Sequence, residues 1–369
     1  MLQLLKVYIT KIFLNYYLLL KGFIFSFFSK SKAMDEEIDF VVLWVDGNDP
    51  KWRATKEKFE KEYKIYKGAN GEERYRDWEL FHYWFRGVEK FAPWVRNIYL
   101  VTCGQVPEWL NINHPKLRLV NHEDFIDHNY LPTFNSSAIE INLHHIKGLG
   151  EYIVYFNDDM LLTKPVKPED FFQGGKPLTC AAGLPIRNYF KNEVWYFNLF
   201  SMMGLATKYN WEEVIRKHPE KWFCHKYGKY LRHNWRMCID SYMSGFYYVH
   251  FASPFRKSTL ENTERDFKEA FEETSSCKFR GPFNITQQLF KIYDIVHGDF
   301  VPCSPYHFGK MHSLEPQYNL IEDDIKKQRY KMVCVNDSSK LDRESFEKVK
   351  CQIQNAFRQI LPNKSSFEL

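Results

Sequence analysis

Apolar and polar positions give the chain three textures. Residues 1–32, MLQLLKVYITKIFLNYYLLLKGFIFSFFSKSK, are apolar and aromatic but punctuated by lysines. The longest uncharged runs lie between Lys11 and Lys21 and between Lys21 and Lys30, far short of the roughly 18 apolar residues of a spanning helix. No unbroken apolar stretch with a small-residue cleavage site reads as a signal peptide. At about 100° per residue, Lys6, Lys11, Lys21 and Lys32 fall to one side, and Gly22 reads as a break. A basic face opposite Leu, Ile and Phe predicts a helix lying in a membrane interface; the alternative is a helix packed on its own domain. From Asp39 the pattern becomes β-rich. The run 38–45 predicts a strand buried on both faces, and 97–102, 117–120 and 151–156 predict further strands. Helical spacing at 51–66, 77–90 and 136–147 alternates with them, which predicts a mostly parallel α/β sheet. Beyond residue 172 the pattern blurs. Residues 189–251 hold 18 aromatics, including Trp195, Trp211, Trp222 and Trp235, and helical spacing returns at 258–273, 283–296 and 342–361. The C-terminal half is expected to pack on the sheet.

Composition narrows the class. The 369 residues carry 51 Lys+Arg against 46 Asp+Glu, a net +5. That balance is too even for a nucleic-acid binder, and 18% aromatic content argues against a disordered chain. The eight cysteines form no C-x-x-C pair, which removes zinc-ribbon and thioredoxin-type motifs and fits reduced thiols in a cytosolic protein; the even count also permits disulfides, although the spacing proposes no pairs.

Parallel sheets bind ligands beyond the carboxyl ends of their strands. That rule singles out Asp46-Gly47-Asn48-Asp49-Pro50 and Asn157-Asp158-Asp159, although turn chemistry alone also explains both. Carboxylates at a strand end suit Mg²⁺ or Mn²⁺, and hence a bound diphosphate. Adjacent side chains of an extended chain point opposite ways, so one of Asp158 and Asp159 is expected to face the ligand. No Walker A loop, G-x-G-x-x-G or H-E-x-x-H occurs. His144-His145 and His250 are candidate histidines; Arg74, Arg76, Arg86, Arg256, Lys257 and Arg280 are candidate phosphate contacts. The residues by themselves indicate an α/β protein with a nucleotide or phosphate site.

Taken in order, the segments resemble the four blocks of the Stealth family of sugar-1-phosphate transferases. The first is IDFVVLWVDGNDP at 38–50. The second runs from RYRDWELFHYWFRGVEKFAPWVRNIYLVTCGQVPEWL through LPTFNSSAIE to YIVYFNDDMLL. The third is HFASPFRKS at 250–258 with CKFRGPFNITQQLF, and the fourth is CVNDSS at 334–339. The resemblance implies a GT-A-like (Rossmann-like) nucleotide-sugar fold in which 38–172 binds the nucleotide-sugar. Residues 173–249 would form an aromatic insertion on the acceptor side, and 250–369 would complete the catalytic domain. It implies that His250, Arg280 and Asp159 are catalytic, and that Asp158 and Asp159 hold Mg²⁺ or Mn²⁺. Asp46, Asn48, Asp49, Arg76, Asp77, Asn135, His144, Asn336 and Asp337 would contact substrate or nucleotide. Ala252 stands where the third block often has proline, and Ser137 and His145 sit where relatives vary; these departures bear on sugar and acceptor. The implied reaction passes a sugar-1-phosphate from a UDP-sugar to a hydroxyl of an oligosaccharide or polysaccharide, releasing UMP. The implied setting is bacterial capsule or exopolysaccharide synthesis on the inner face of the plasma membrane. Competing readings are a glycosyltransferase releasing UDP and a non-catalytic polysaccharide-binding component.

Overall fold

The computed structural model describes residues 2–28, 32–185, 200–201, 204–205, 208–240, 245–247, 250–314 and 320–369. The apolar runs become strands β1 (Ile38–Leu43), β2 (Ile98–Thr102), β3 (Leu117–Asn121) and β4 (Tyr152–Asn157). β1 lies between β2 and β4 and is parallel to both, β3 adds in parallel to β2, and Ser253–Arg256 closes the β4 edge antiparallel. Alternate residues of β1 enter two different cores. Phe40 and Val42 meet Trp84, Phe85, Val88 and the C-terminal helix residues Ile353 and Phe357. Val41 meets Tyr99, Ile153, Tyr155, Phe255 and Phe290. This is the two-sided burial that the unbroken apolar run predicts. A second sheet joins Met160–Leu162, Gly309–Ser313 and Met332–Asn336. Only two residues separate its first strand from β4, so it sits at the carboxyl end of the central sheet. The architecture is α/β with a mostly parallel, Rossmann-like sheet.

Several boundaries differ from the sequence pattern. The helix expected from residue 77 starts at Phe81, because 77–80 form a turn in which the Glu79 N–H donates to Asp77 and Glu79 takes φ 52°. The helix expected over 136–147 ends at Ile141 and continues as a 3₁₀ turn at Leu143–His145. The helix expected over 258–273 is two, Lys257–Asp266 and Lys268–Ser276, broken at Phe267 (φ −131°, ψ 37°). All eight cysteines are free thiols. Of the aromatic segment, Trp195 lies outside the described residues; Trp211 and Trp222 meet edge-to-face at 5.8 Å within the second core.

The N-terminal helix, α1 (Leu2–Phe27), runs straight through Gly22. The reason is packing: a Cβ on Gly22 would lie 2.2 Å from the Pro219 carbonyl oxygen. Asn15, Leu18, Gly22 and Ser26 are buried against the 219–240 helices. Asn15 Nδ2 donates to the Cys238 carbonyl at 3.1 Å, and Lys11 ion-pairs with Glu212. The docked seam thus sets Leu18 among polar and small residues, the Phe27 ring lays one face on His225 at 4.0 Å, and Phe13, Tyr17, Leu20 and Phe28 point outward. No helix among the described residues is long and apolar enough to cross a membrane.

Asp39 sits inside the central sheet with no exposed surface. Its carboxylate accepts from Arg96 Nε at 2.8 Å, from the Gly150 N–H at 2.8 Å and from Asn97, and Arg96 Nη2 closes a bidentate pair. Removing one partner of a buried ion pair strands the other charge, at about 3 kcal/mol or more. Arg96→Ala is expected to cost about 3 kcal/mol in a chemical denaturation curve. A loss below about 1 kcal/mol, the scale of a surface pair, would show that Asp39 does not depend on it.

Candidate active site

The carboxyl ends of β1, β2, β3 and β4 and of the Met332–Asn336 strand open into one cleft of about 490 Å³. One wall is acidic. Asp158 and Asp159 occupy the turn after β4, and both line the cleft. This corrects the expectation that only one would face it; a turn, unlike a strand, does not alternate its side chains. Asp77 joins them. Asp158 opens to solvent through the cleft mouth, yet protein surrounds it, and loss of bulk water raises its pKa to about 7, with Asp159 and Asp77 adding repulsion. Burial likewise raises Asp77. The same cleft is lined by basic groups, Arg74 and Arg280. Burial, then the nearby Arg280 charge, holds Arg74 below the ordinary arginine value. Arg280 is steered by a contact from Nη2 to the Ser136 hydroxyl, and its own N–H donates to Asn70 Oδ1 at 3.3 Å.

His250 lies beside the acidic turn, with Nε2 3.7 Å from Asp159 Oδ2 and 3.5 Å from Asn157 Nδ2. Asn336 and Asp337 also line the cleft, at the end of the Met332–Asn336 strand. Asp337 is held by Arg76, whose Nε and Nη2 donate to it at 2.9 and 2.6 Å. The other Arg76 donors reach the Leu341 and Ser338 carbonyls at 3.0 and 2.8 Å. Arg76 thus clamps two chain segments together.

Other sequence-predicted residues build the site from behind. Asp49 caps the helix Pro50–Glu62 by accepting from the Lys51 N–H at 2.8 Å, and its pKa is lowered chiefly by the Gln105 hydrogen bond. Asp46 accepts from the Asn48 N–H at 2.8 Å, and Asn48 accepts from Arg53. Gly47 between them is required, since a Cβ there would lie 2.1 Å from the Tyr75 carbonyl oxygen. Asn135 is buried; it caps Ser136–Ile141 through Ser137 and donates to Asn284 Oδ1 at 3.0 Å. His144 points elsewhere, into a cluster where its Nε2 and that of His145 lie 2.7 and 3.2 Å from Glu264 Oε2. Buried Nδ1 of His144 has no hydrogen-bond partner, whereas a metal-ligating imidazole ordinarily donates from its second nitrogen. Sequence reasoning missed Trp44, His122, Glu140 and Gln287, which line the cleft. The strand-end rule points to Trp44 and His122; no local signal marks the other two.

The acidic wall fits a divalent cation. Asp159 Oδ1 is buried without a hydrogen-bond partner, and the paired carboxylates offer hard oxygen donors. Asp159, His250 and Cys334 bring one donor atom each within 4.8 Å. Burial pushes the Cys334 thiol well up, and it donates to Asp159 Oδ2 at 3.3 Å.

Fold and site together define an α/β protein whose cleft gathers carboxylate, guanidinium and imidazole groups at the ends of its strands. Comparison with known sequences makes this specific: the chain belongs to the Stealth family. Models of Stealth conserved regions 1, 2, 3 and 4 match residues 36–64, 74–178, 249–290 and 323–369. The chain is 40% identical over 334 residues to a capsular polysaccharide phosphotransferase, WcwK, of Streptococcus pneumoniae, covering 90% of this chain and 98% of that one. It is 39% identical to a receptor polysaccharide phosphotransferase, WefC, of Streptococcus gordonii, covering 91% and 100%. It is 36% identical to an exopolysaccharide phosphotransferase, cps2G, of Lactiplantibacillus plantarum, covering 90% and 96%. The chain is a phosphotransferase.

A proton on Asp158 competes with a cation for the same oxygens. The Mg²⁺ concentration giving half-maximal turnover is expected to level above pH ~7 and to rise about tenfold per unit below it. A concentration independent of pH from about 5.5 to 8 would remove Asp158 from the ligand set.

Proposed function

We propose that the chain transfers a sugar-1-phosphate from a UDP-sugar to a hydroxyl of an acceptor glycan, releasing UMP, in capsule or exopolysaccharide synthesis. The observation that carries this reading is the bipolar cleft. Arg74 and Arg280, close enough to repel each other, line the same cleft as Asp77, Asp158 and Asp159, with His250 beside Asp159. A diphosphate accompanied by a divalent cation complements both sets, because phosphate oxygens take the guanidinium forks.

Positioning and charge neutralisation dominate phosphoryl transfer. His250 acts as general base and takes the proton of the acceptor hydroxyl. The hydroxyl oxygen bonds to the β-phosphorus, and the bond from that phosphorus to the bridging oxygen breaks, its electron pair leaving with UMP. Arg74 and Arg280 stay on the phosphoryl oxygens throughout. The sugar C1–O bond is untouched, so the anomeric configuration of the donor passes into the phosphodiester. A divalent cation on Asp158 and Asp159, Mg²⁺ or Mn²⁺, supplies neutralisation of the leaving group when bound. Trp44, Val101, His122 and Phe134 line the cleft at the ends of β1, β2 and β3 and are the aromatic and apolar groups offered to the uracil. The relatives' printed names, capsular and exopolysaccharide phosphotransferases, support a glycan acceptor.

The same reading puts the enzyme on a membrane surface through residues 1–32, at the inner face of the plasma membrane where cytosolic UDP-sugars are available. α1 supports it by being inside-out. With Asn15 set at 0°, the docked residues lie within about 60° of it, and Ile9, Phe13, Tyr16, Leu20, Ile24 and Phe27 occupy about 100–180°. Phe13 and Phe28 are 71% and 74% exposed. An apolar ridge flanked by exposed tyrosines and Lys21, with no acidic residue before Asp35, matches an anionic bilayer interface.

Incubation with UDP-N-acetylhexosamine, Mg²⁺ and an oligosaccharide acceptor should give UMP and a phosphorus-containing product; release of UDP would establish glycosyl transfer instead. His250→Ala and Arg280→Ala should each lower turnover by about 100-fold or more without loss of fold. Co-sedimentation with vesicles containing anionic lipid should be lost in Phe13→Ser/Leu20→Ser/Phe27→Ser, whose positions are exposed. Equal sedimentation of that variant would reject the ridge.

A further inference from the structure

We propose that the cavity adjoining the cleft at Gln288, walled by Phe251, Ala252 and Pro254, is the seat of one pyranose ring of the acceptor glycan. The inference rests on the phosphotransfer reading and adds where the sugar bearing the attacking hydroxyl lies.

The order of strands sets the direction. The central sheet runs β3, β2, β1, β4 and then Ser253–Arg256. Trp44, Val101 and His122 stand at the ends of β1, β2 and β3, the end offered to the uracil. Asp158 and Asp159 follow β4, and His250 precedes the edge strand, whose first residue pairs with Tyr155 near the carboxyl end of β4. A diphosphate laid from the uracil end to the acidic turn points its reacting phosphorus toward that edge. Attacking and leaving oxygens stand on opposite sides of a transferring phosphorus, so the acceptor approaches from the side away from UMP. The edge strand leads into a second cavity, of about 120 Å³. Phe251, Ala252 and Pro254 line it directly after His250, and Gln288 lines both it and the cleft. A hydroxyl within reach of His250 is carried by a group seated next to that residue, and this is the space next to it.

The lining suits a sugar. Phe171, Phe246, Phe251 and Phe308 offer rings to the C–H faces of a pyranose, and a mostly apolar wall with a few fixed polar groups is how small-molecule sites are built. Gln288 is one such group: it is 9% exposed, and its Nε2 has no hydrogen-bond partner. Oε1 of Gln287, on the cleft side, is likewise buried without one. A buried polar atom left unpaired is costly, and a sugar hydroxyl, which both donates and accepts, satisfies either amide end. Lys291, three residues on and so on the same face of the helix Gln288–His297, also lines the cavity. An apolar cavity of ~150 Å³ holds one benzene ring, so this one seats a single ring and leaves the rest of the glycan outside.

The test reads sugar binding without turnover. Saturation-transfer difference spectra are taken with UDP filling the nucleotide end and with the methyl β-glycosides of glucose, galactose and N-acetylglucosamine as probes. The wild type should saturate the ring protons of at least one glycoside. Gln288→Met keeps the bulk and removes the amide, and Ala252→Leu fills the cavity from its lining. Each should raise the Kd of that glycoside about fivefold or more, while UDP-N-acetylhexosamine binds within about twofold of its wild-type Kd. No saturation in the wild type, or an unchanged glycoside Kd in either folded variant, would overturn the proposal. So would a fall of UDP-N-acetylhexosamine affinity to that of UDP, which assigns the cavity to the donor's sugar. If glycoside binding follows the expectation while the wild type releases no UMP from UDP-N-acetylhexosamine and an oligosaccharide, the phosphotransfer reading fails and the sugar seat stands.

Discussion

The clasp between Arg76 and Asp337 is the contact on which the site depends. It closes a sequence separation of 261 residues with two charge-assisted bonds to one carboxylate, and its remaining donors hold the carbonyls that follow. Trp78 adds a hydrogen bond to Asp337 at 3.3 Å and packs edge-on against Phe346 at 4.6 Å. Through this knot the second sheet is pressed against the segment before Phe81, and Asn336 and Asp337 reach the same cleft as Asp77. A lysine could not replace the arginine, because a single ammonium cannot reach a carboxylate and two diverging carbonyls in one plane.

The clasp has something to resist. Two unit charges of one sign at about 4 Å repel by about 4 kcal/mol at an effective dielectric of ~20. The cleft gathers both an acidic and a basic set, and the rise of Asp158 and Asp77 and the fall of Arg74 are the signs of that crowding. A scaffold that holds like charges together has to be stabilised elsewhere. Here the two apolar cores on either face of β1 do so. The interaction energy withheld in the free enzyme becomes available to a ligand carrying the opposite charges, which is preorganisation in its electrostatic form.

Much of the framework was legible in the sequence because buried parallel strands leave unbroken apolar runs. β1, β2 and β4 fall where such runs stand, β3 (LRLVN) is a half-exposed edge strand, and the strand-end rule puts the Asn157–Asp159 turn on the cleft. Periodicity could not supply the second sheet: Gly309–Ser313 reads GKMHS, with no alternation to find, and Met160–Leu162 is three residues long. His250, Arg280 and Asp337 lie far apart in the chain and carry no shared local pattern, so only the resemblance brought them together. Alternation misled at Asp158 and Asp159, since the chain turns there. Glycine's breaking tendency misled at Gly22, where the absent side chain serves packing against Pro219.

Membership in a motif also proves to be two properties. Asp158, Asp159, His250, Arg280 and Asn336 face the cleft. Asp46, Asn48, Asp49 and Asn135 spend their polar atoms on turns, caps and a buried amide pair, shaping the chain around Gly47 and aiming Ser136 at Arg280. Both groups can be retained in a motif, since displacing the framework by an ångström misaligns the groups that meet the substrate. The same distinction resolves α1. Its lysines read from sequence as a basic face opposite the apolar residues, yet the domain takes Lys11, Asn15, Gly22 and Ser26 as its docking seam. What faces outward is therefore decided by the partner already present: once the catalytic domain has claimed the polar stripe, the apolar remainder is what the helix has left to offer a second surface.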